Sequence, residues 1–461
     1  MIDSFSKRNI PQAPGGSIFS GRLKEFQRDP LSFMQKLSRN YGQVVRFKLG
    51  PSQKVILLSD PELIKEVLVT KQKNFIKSSD IRSLKALLGE GLLTSEKDVH
   101  MRQRRLIQPA FKKTHVASYG QDMIDVAQHY VQMWKHGMET EITEEMMNIT
   151  LGVISKTMFS MDLKEGYELV GEAVEKVMKL AIKRMRRAIP LPLWLPSKSN
   201  REFKQAAKVL DAVLFNIIDQ RRRGGIQKED LLGMIMAARD DENGTGMTDK
   251  QIRDELMTIF LAGHETTANA LSWTLYLLAQ HPDKEAKMHA EIDSVIRGKT
   301  IRPEHFSSLK YTQNVIWESL RLFPPAYVIG REVDKTVEIG GYLFKKGETV
   351  LMSQYVMHRS PEYFEKADEF NPERFDNDLL KKLPAYAYFP FGGGPRVCIG
   401  NHFSFMEMVL VLACLASRYQ FRLTTEQEKV KTQPLITLRP KPGIRMILHE
   451  RETEKSNPDS V

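Results

Sequence analysis

The feature that most constrains the fold of this sequence is a long helical run in the middle of the chain. The run reads MTDKQIRDELMTIFLAGHETTANALSWTLYLLAQHP; Thr248 is a good N-cap residue at its start, and Pro282 stands at its end. About 32 residues at 1.5 Å each form a rod of roughly 48 Å, which is long enough to cross a whole domain. We therefore expect one central helix through the domain.

The composition is that of an ordinary globular chain, with 41% hydrophobic and 27% charged residues. Its two cysteines cannot build a disulfide framework, which favours a reducing compartment. No apolar run reaches about 18 residues, and the N-terminus lacks the apolar core of a signal peptide. We expect no transmembrane segment and a cytoplasmic location.

The net charge of +11 would suit a partner with many negative charges, such as nucleic acid. Lysine and arginine are spread along the chain and mixed with acidic residues, however, and no zinc-finger spacing or RNA-binding signature is present. We therefore expect no nucleic-acid partner.

Helical patterns dominate the rest of the chain, and strand patterns are few. Residues 42–60 read as two strands around a Gly-Pro turn, and further short strands are expected near 330–350 and 435–448. The patterns alone therefore predict a mainly helical chain with a few short strands. Residues 358–399 form a long irregular stretch with too many aromatic residues for disorder, which favours a functional loop.

The stretch FGGGPRVCIG, residues 391–400, places Cys398 among glycines, and four interpretations compete. A buried structural cysteine fits poorly, because such residues prefer a helical setting like that of Cys414. Zinc needs more ligands than Cys398 and His402. No signature of a nucleophilic cysteine is present, and no Lys-Ser/Thr pair follows the glycines to complete a phosphate loop.

The fourth interpretation is a cysteine thiolate that ligates haem iron. Glycines let the backbone approach a flat macrocycle. The start of the helix after Gly400 supplies positive potential, which favours a thiolate. Arg396, two residues before Cys398, could meet a carboxylate on the rim of the cofactor.

The run Phe391-x-x-Gly394-x-Arg396-x-Cys398-x-Gly400 resembles the haem-binding loop of the cytochrome P450 family. Four further motifs stand in the order that the family shows: HMRQRRLIQPAF from residue 100, AGHETT from 262, ESLR from 318 and PERF from 372. The resemblance covers nearly the whole chain.

The resemblance implies a single haem-thiolate domain of the cytochrome P450 fold over residues 1–461. This is an α+β fold that is mainly α-helical, with a small β-rich portion near the N-terminus. An N-terminal segment would extend to about residue 20 and a polar tail would begin at about residue 450. Haem b would be the cofactor, with Cys398 as the iron ligand. The residues that would bind it are Cys398, His100, Arg104, Arg331, Arg396, Phe391, Ala262, Gly263 and Gly400.

Two groups of these residues have distinct expected roles. His100, Arg104, Arg331 and Arg396 would supply donors to the two haem propionates, which is sensible charge pairing. Ala262 and Gly263 would leave room above the iron for oxygen and substrate.

Glu265 and Thr266 resemble the acid–alcohol pair that delivers protons during dioxygen activation in the family. Glu265 would relay protons from solvent, and Thr266 would steer them. The residue types alone also fit a tight helix crossing, since glycine and threonine weaken a helix and threonine hydroxyls can bend it.

Glu318 and Arg321 of ESLR are three residues apart and share a helix face, which alone is typical of surface pairs. The resemblance instead implies that Glu318, Arg321 and Arg374 form a buried charge network behind the haem. Its role would be structural, because it would pin the long loop and take no part in the chemistry.

By resemblance, the substrate pocket draws on the largely apolar residues Phe75, Ile81, Leu261, Ala262, Val328, Ile329 and Ile436. Such a pocket suits a hydrophobic small molecule of the fatty acid, terpene or steroid class. Lys77 or Arg82 could hold a substrate carboxylate or face water. The segment 178–196 fits a lid, a contact with a membrane surface or a plain packed loop equally well.

The resemblance implies a soluble, bacterial-type monooxygenase that activates dioxygen and hydroxylates or epoxidises its substrate. Electrons would come from a separate ferredoxin or flavodoxin with its reductase, since the chain holds no flavin or nicotinamide domain, and we expect a monomer. The candidates for a docking face toward an acidic partner are Arg102, Arg105, Lys112 and Lys113.

Two alternative functions are a peroxide-dependent P450 peroxygenase and a non-catalytic haem-binding sensor. The Glu265–Thr266 pair argues against the first, because peroxide-using enzymes tend to lack it. The absence of a signalling domain argues against the second.

Overall fold

The structure is a computed structural model that describes residues 8–17, 19–161, 176–177, 179–180, 194–224, 229–240, 242, 244–427 and 429–452. The chain divides into two compact units. The first unit comprises residues 1–83, 317–399 and 436–438, and the second comprises residues 84–316, 400–435 and 439–461. The expectation of a single domain stays a prediction.

The strands of the described residues are short. They are β1 (Val44–Leu49), β2 (Gln53–Leu58), β3 (Phe75–Lys77), β4 (Glu139–Glu141), β5 (Ile329–Val333), β6 (Val337–Ile339), β7 (Tyr342–Phe344), β8 (Thr349–Met352), β9 (Tyr419–Leu423), β10 (Lys431–Pro434), β11 (Leu438–Lys441) and β12 (Arg445–Glu450).

The α-helices are the most extensive elements of the described chain. They are α1 (Leu23–Arg28), α2 (Pro30–Tyr41), α3 (Pro61–Lys65), α4 (Ser79–Ser83), α5 (Lys85–Leu88), α6 (Lys97–Ile107), α7 (Lys113–Ser118), α8 (Gly120–Met133), α9 (Ile142–Phe159), α10 (Lys198–Arg223), α11 (Leu231–Ala237), α12 (Asp249–Gln280), α13 (Pro282–Ile296), α14 (Lys310–Leu322), α15 (Gln354–Met357), α16 (Leu379–Lys382) and α17 (Asn401–Arg418). A π-helical turn spans Glu66–Thr70, and 3-10 turns span Gln72–Asn74, Gln108–Phe111, Pro303–Ser307, Pro372–Asp378 and Gly394–Arg396.

A five-stranded sheet organises the first unit. Its strand order is β1-β2-β8-β5-β3, in which β2 and β8 run parallel and the other neighbours run antiparallel. The β1–β2 hairpin is the predicted pair of strands around the Gly-Pro turn, and Gly50 there has a φ of 72°. Val55 of β2 lies opposite Thr349 of β8, so the sheet is completed by residues far along the chain.

Both faces of this sheet are covered by apolar side chains. Ile56 and Leu58 of β2 lie in one buried cluster, whereas Val55 and Leu57 of the same strand lie in another. Successive residues of a strand point to opposite faces, so an unbroken apolar run is typical of a strand that is buried on both sides.

Helix α12 is the central helix of the second unit, and it confirms the predicted long run. It is 32 residues long, and Thr248 and Gln251 form a reciprocal capping box at its start. Most of its side chains are buried, and it packs against α9, α10 and α17. Pro282 follows it as the first residue of α13, a position that proline favours.

The fold class is confirmed, since the described chain is mainly helical with small sheets. The sequence did not predict β3, β4 or β9, because strands of three to five residues are too short to show a period of two. Strands β4, β12 and β9 form a three-stranded sheet in the second unit. Residues 358–399 contain only short helical turns, as the irregular pattern predicted.

The segment 178–196 is not tested by the structure, because residue 178 and residues 181–193 lie outside the described residues. Among the described helices, none combines the length and the apolar character that a bilayer crossing requires.

Candidate active site

The loop before α17 is closed by its own backbone and leaves Cys398 exposed. The N–H of Cys398 donates to the carbonyl oxygen of Phe391 at 2.9 Å, and the N–H of Gly392 donates to that of Phe389 at 2.9 Å. Val397 likewise donates to Gly394 at 3.0 Å. These bonds hold the chain in a compact turn that presents one thiol at its surface.

The glycines of this loop are required by close contacts. Gly394 has a φ of 67°, and a Cβ atom there would overlap the carbonyl oxygen of Leu68. A Cβ atom on Gly393 would overlap the ring of Tyr386. A larger residue at either position would push the loop away from the rest of the first unit.

Behind this loop, Glu318, Arg321 and Arg374 form one buried network in the first unit. Arg321 donates to both oxygens of Glu318, from Nε at 2.7 Å and from a terminal nitrogen at 2.8 Å, and Arg374 Nε lies 3.4 Å from Oε1. The N–H of Asn371 donates to Oε1 at 2.9 Å. Both charged side chains of the ESLR motif are completely buried, so every part of the carboxylate is neutralised within the protein.

Arg321 and Arg374 also hold the irregular stretch that leads to the cysteine. Arg321 donates to the carbonyl oxygens of His358, Ala367 and Glu369, and Arg374 donates to that of Glu365. Each of these bonds is made to a backbone carbonyl group, so the network fixes the path of the chain independently of the side chains of His358, Glu365, Ala367 and Glu369.

His358 extends this network toward the cysteine loop, and the sequence did not reveal it. Its Nε2 accepts the N–H of Phe389 at 2.9 Å. Burial, together with the charges of Arg321 and Arg359, holds the pKa of His358 well below its usual range, so the ring stays neutral and can accept. The ring of Trp317 packs edge-on against Phe391 at 6.2 Å between centroids.

Arg331 and Arg396 are the other cationic residues predicted for this unit. Arg331 lies on β5, is buried, and stands directly opposite Lys77 of β3. Arg396 is half-buried in the turn before Cys398. Arg82 forms an ion pair with Glu332 at 2.8 Å and donates to the carbonyl oxygen of Lys77, which accounts for its charge without a substrate carboxylate.

The second unit carries the AGHETT residues on α12. Ala262 is exposed and Gly263 and Thr266 are half-buried, although the helix around them is buried. The hydroxyl of Thr266 donates to the carbonyl oxygen of Ala262 at 2.6 Å. One short stretch of the helix therefore offers a small side chain, a glycine and a fixed hydroxyl at an accessible surface.

Glu265 points into the second unit, where its partner is an arginine that the sequence did not reveal. The carboxylate is 2% exposed, and its Oε1 accepts a hydrogen bond from Nε of Arg439 at 2.7 Å. The side chain of Arg439 is 26% exposed. The buried charge is thus neutralised by a group that reaches solvent.

His100 and Arg104 lie one turn apart on α6, as predicted. His100 is buried, and its Nδ1 lies 3.1 Å from the carbonyl oxygen of Leu92. A carbonyl oxygen can only accept, so Nδ1 carries a proton. Arg104 is half-buried.

Two of the predicted docking residues are occupied within the chain. Arg102 and Arg105 both pair with Asp240, at 3.7 and 3.3 Å, and Arg105 also pairs with Glu242 at 3.1 Å. Lys112 and Lys113 are exposed.

Comparison with known proteins decides the family. The family model described as cytochrome P450 matches residues 11–447. The chain belongs to the cytochrome P450 family. It is a cytochrome P450 monooxygenase, an oxidoreductase whose cofactor is a haem iron.

Three similar proteins come from Streptomyces. Cyclooctatin synthase of Streptomyces melanosporofaciens is 36% identical over 95% of this chain and 95% of its own length. Cyclooctat-9-en-7-ol 5-monooxygenase of the same organism is 33% identical over 89% of each chain. Pentalenene oxygenase of Streptomyces avermitilis is 31% identical over 90% of this P450 and 92% of its own length.

The residues present fit a haem. The thiol of Cys398 is exposed at the surface of its loop and suits an iron ligand, and Ala262 and Gly263 lie on an accessible stretch of α12 where the side chains are small. Each unit also carries basic side chains of the type that suits carboxylate groups, namely Arg331 and Arg396 in the first and His100 and Arg104 in the second.

The predicted pocket residues are divided between the units. Leu261 and Ala262 belong to the second unit, and Phe75, Ile81, Val328, Ile329 and Ile436 belong to the first. Phe75 is buried in the core cluster of the first sheet, and Ile329 and Val328 pack against the two clusters there. These three side chains therefore contribute to core packing, and their role in a pocket stays a prediction.

Proposed function

We propose that this P450 uses dioxygen and external electrons to hydroxylate or epoxidise a hydrophobic molecule of the terpene class, with Cys398 as the iron ligand of haem b. The observation that carries the proposal is the Glu265–Thr266 pair: a fixed hydroxyl at an accessible stretch of α12, next to a buried carboxylate that is linked to solvent through Arg439.

The haem, when bound, would supply the activation of dioxygen and the insertion of oxygen into the substrate. The task of the chain is to deliver protons at the right place. Thr266 Oγ1 is held at 2.6 Å from the carbonyl oxygen of Ala262, and a hydroxyl both donates and accepts, so it can pass on a proton.

Glu265 would supply that proton. Its Oε1 accepts from Arg439, so a proton taken up from solvent would be held on Oε2 during its transfer. The guanidinium stabilises the carboxylate that remains after transfer, and its own exposure provides a connection to water for the next proton.

The cationic residues would hold the propionates. His100 donates from Nδ1 to Leu92, so donation to a propionate from Nε2 requires the imidazolium form of the ring. Arg104, Arg331 and Arg396 would complete a set of charge-assisted donors for two carboxylates.

The substrate class is supported by the relatives and by the side chains on α12. The names of two relatives give cyclooctat-9-en-7-ol and pentalenene as the molecules they oxygenate. Both names denote unsaturated, largely hydrocarbon molecules, which suit apolar neighbours such as Leu261 and Ala262.

Electrons would come from an acidic ferredoxin or flavodoxin with its reductase. Lys112 and Lys113 are exposed just after α6, which carries His100 and Arg104, and they would attract such a partner. Arg102 and Arg105 contribute less, because Asp240 already neutralises part of their charge. A monomeric state and a cytoplasmic location stay predictions.

Replacement of Thr266 by alanine tests the proposal. In T266A the proton supply is misdirected, so reduced oxygen should leave as hydrogen peroxide and the peroxide formed per NADPH consumed should rise several-fold, as measured with a surrogate ferredoxin and reductase. T267A is the matched control, since Thr267 is the adjacent residue and is buried. Equal peroxide yields in wild type and T266A, with peroxide-driven turnover unchanged, would instead support a peroxygenase.

A further inference from the structure

A loop of the second unit, residues 89–95, is fastened to the central helix by two neighbouring carboxylates. The N–H of Glu90 donates to Oδ2 of Asp254 at 2.9 Å, and the N–H of Leu92 donates to Oε2 of Glu255 at 2.9 Å. Glu255 is completely buried. The helix thus holds the backbone of the loop at two positions two residues apart.

The backbone of this loop lies directly against α12. Gly89 has a φ of 59°, and a Cβ atom there would overlap the carboxylate of Asp254. A Cβ atom on Gly91 would overlap the hydroxyl of Thr258 and lie 2.5 Å from the carbonyl oxygen of Asp254. Close approach of the loop backbone to α12 therefore depends on both glycines.

The Leu92 residue that Glu255 holds also contacts His100. Glu255 accepts the N–H of Leu92, and the carbonyl oxygen of Leu92 accepts Nδ1–H of His100 at 3.1 Å. Gln103, almost one turn after His100 on α6, donates to the carbonyl oxygen of Glu90 at 2.7 Å. One residue of the loop thus connects a buried carboxyl group on α12 with the ring of a residue on α6.

We propose that Glu255 is a positioning residue for the cofactor: it fixes Leu92, and Leu92 fixes the orientation of the His100 ring through Nδ1–H, so that Nε2–H of the imidazolium is aimed at a haem propionate. The inference rests on the role of His100 given under the proposed function. Partners that orient a metal-ligating histidine typically cost about tenfold to a hundredfold in metal affinity or activity when they are removed, and we take the lower end of that range for a histidine that binds a propionate.

The test is the rate at which the ferric holoenzyme loses haem to an excess of haem-free apomyoglobin, followed by absorbance. E255L removes the acceptor of the Leu92 N–H, and we expect it to speed haem loss about tenfold. E255Q keeps a carbonyl oxygen as acceptor and should stay within about twofold of wild type. H100A should also lose haem about tenfold faster.

The double variant E255L/H100A separates positioning from general destabilisation. If Glu255 acts through His100, the double variant loses haem no faster than H100A alone. G91A gives an independent check, because it should displace the loop while Asp254 and Glu255 are unchanged. It also replaces E255L in the test if that variant does not fold. It should speed haem loss in the wild-type background and not in the H100A background.

Three results would overturn the inference. The first is haem loss at the wild-type rate in folded E255L and G91A. The second is haem loss from E255L/H100A that is faster than from H100A by the same factor as E255L is faster than wild type. The third is a wild-type rate for H100A, which would also remove the propionate role of His100. In that case a strongly red-shifted carbon monoxide band in reduced H100A would show that the haem-thiolate function itself stands.

Discussion

Glu318 and Glu255 are both completely buried glutamates, yet their surroundings are opposite. Glu318 accepts bonds from Arg321, Arg374 and the N–H of Asn371. Glu255 accepts the Leu92 N–H on Oε2, and within the described part of the chain its Oε1 has no hydrogen-bond partner. Burial raises the pKa of Glu255 to about 8, an effect that the Leu92 bond opposes and the charge of Asp254 reinforces.

Burial alone therefore does not determine the role of a carboxyl group, which depends also on the groups that it contacts. A carboxylate that is matched by two guanidinium groups is a fixed structural charge, which suits the task of holding the irregular stretch 358–399 in place. A carboxyl group with a single backbone donor is mostly neutral near pH 7 and titrates close to it. Glu265 is intermediate in its surroundings, because it is buried but pairs with Arg439, whose side chain is partly exposed to solvent.

The largest effect is expected for Arg321→Ala. It leaves the Glu318 charge buried without its main partner and frees three backbone carbonyl groups, so the free energy of unfolding should fall by about 3–5 kcal/mol. Urea denaturation followed by circular dichroism measures it. R418A is the control, because Arg418 pairs with Glu450 at 3.1 Å while both side chains are more than 40% exposed, and about 1 kcal/mol or less is expected. Equal losses in the two variants would remove the distinction between the buried network and a surface pair.

The next effect is a pH dependence of stability due to Glu255. Its ordinary pKa is 4.5 and its folded value is about 8, so the folded state binds the extra proton between these pH values. The stabilisation that this extra proton contributes is therefore fully present below pH 4.5. It decreases as the pH rises from 4.5 and is lost once the pH has passed 8. E255Q does not titrate, so its stability relative to wild type should rise by on the order of 3 kcal/mol over this interval.

Urea denaturation of wild type and E255Q at pH 5, 6.5 and 8 measures this change. A stability difference that is the same at all three pH values would show that Glu255 keeps an ordinary pKa, and the contrast with Glu318 would then fail.

A smaller effect is expected at Glu265, the intermediate case. R439Q removes the guanidinium that neutralises and orients the carboxylate, so product formation per electron should fall about tenfold. R439K keeps a charge and should recover part of the loss. R445Q is the control, since Arg445 pairs with the exposed Glu139 at 3.7 Å. If R439Q formed as much product per electron as wild type, Arg439 would have no part in proton delivery.

The smallest effect concerns exposed charges. K112E/K113E should slow reduction by an acidic ferredoxin several-fold at low ionic strength, and the difference should vanish at high salt because exposed charges are screened. K345E/K346E, a pair of adjacent exposed lysines in the first unit, makes the same charge change. Stopped-flow reduction rates distinguish the two variants, and an equal decrease in both would mean that net charge, and no particular face, attracts the partner.

The sequence predicted those parts of the site that are contained in short motifs. The glycine-rich loop at Cys398, the capped helix through Thr266 and the Glu318–Arg321 spacing each depend on residues that are close along the chain. For this reason their local geometry follows from residue types and helical spacing.

Arg374, 56 residues from Glu318, could be named only through the family resemblance, and the other partners contributed from far along the chain were not predicted. Arg439 is 174 residues from Glu265, and Glu255 is 163 residues from Leu92, so no spacing marks either pair. His358 resembles any polar loop residue until the fold places its ring against the backbone of Phe389. The sequence likewise shows the positive charges of Arg102 and Arg105, but it does not show that both residues pair with Asp240.

The most direct test of the central claim, that Cys398 binds the haem iron, is the absorption spectrum of the reduced protein with carbon monoxide. We expect a strongly red-shifted Soret band in wild type, its loss in C398S, and its retention in C414S. Cys414 is the matched control because it is buried in α17, where burial raises the pKa of its thiol. A red-shifted band that persists in C398S, or an unshifted band in haem-loaded wild type, would show that the Cys398 thiolate is not the iron ligand.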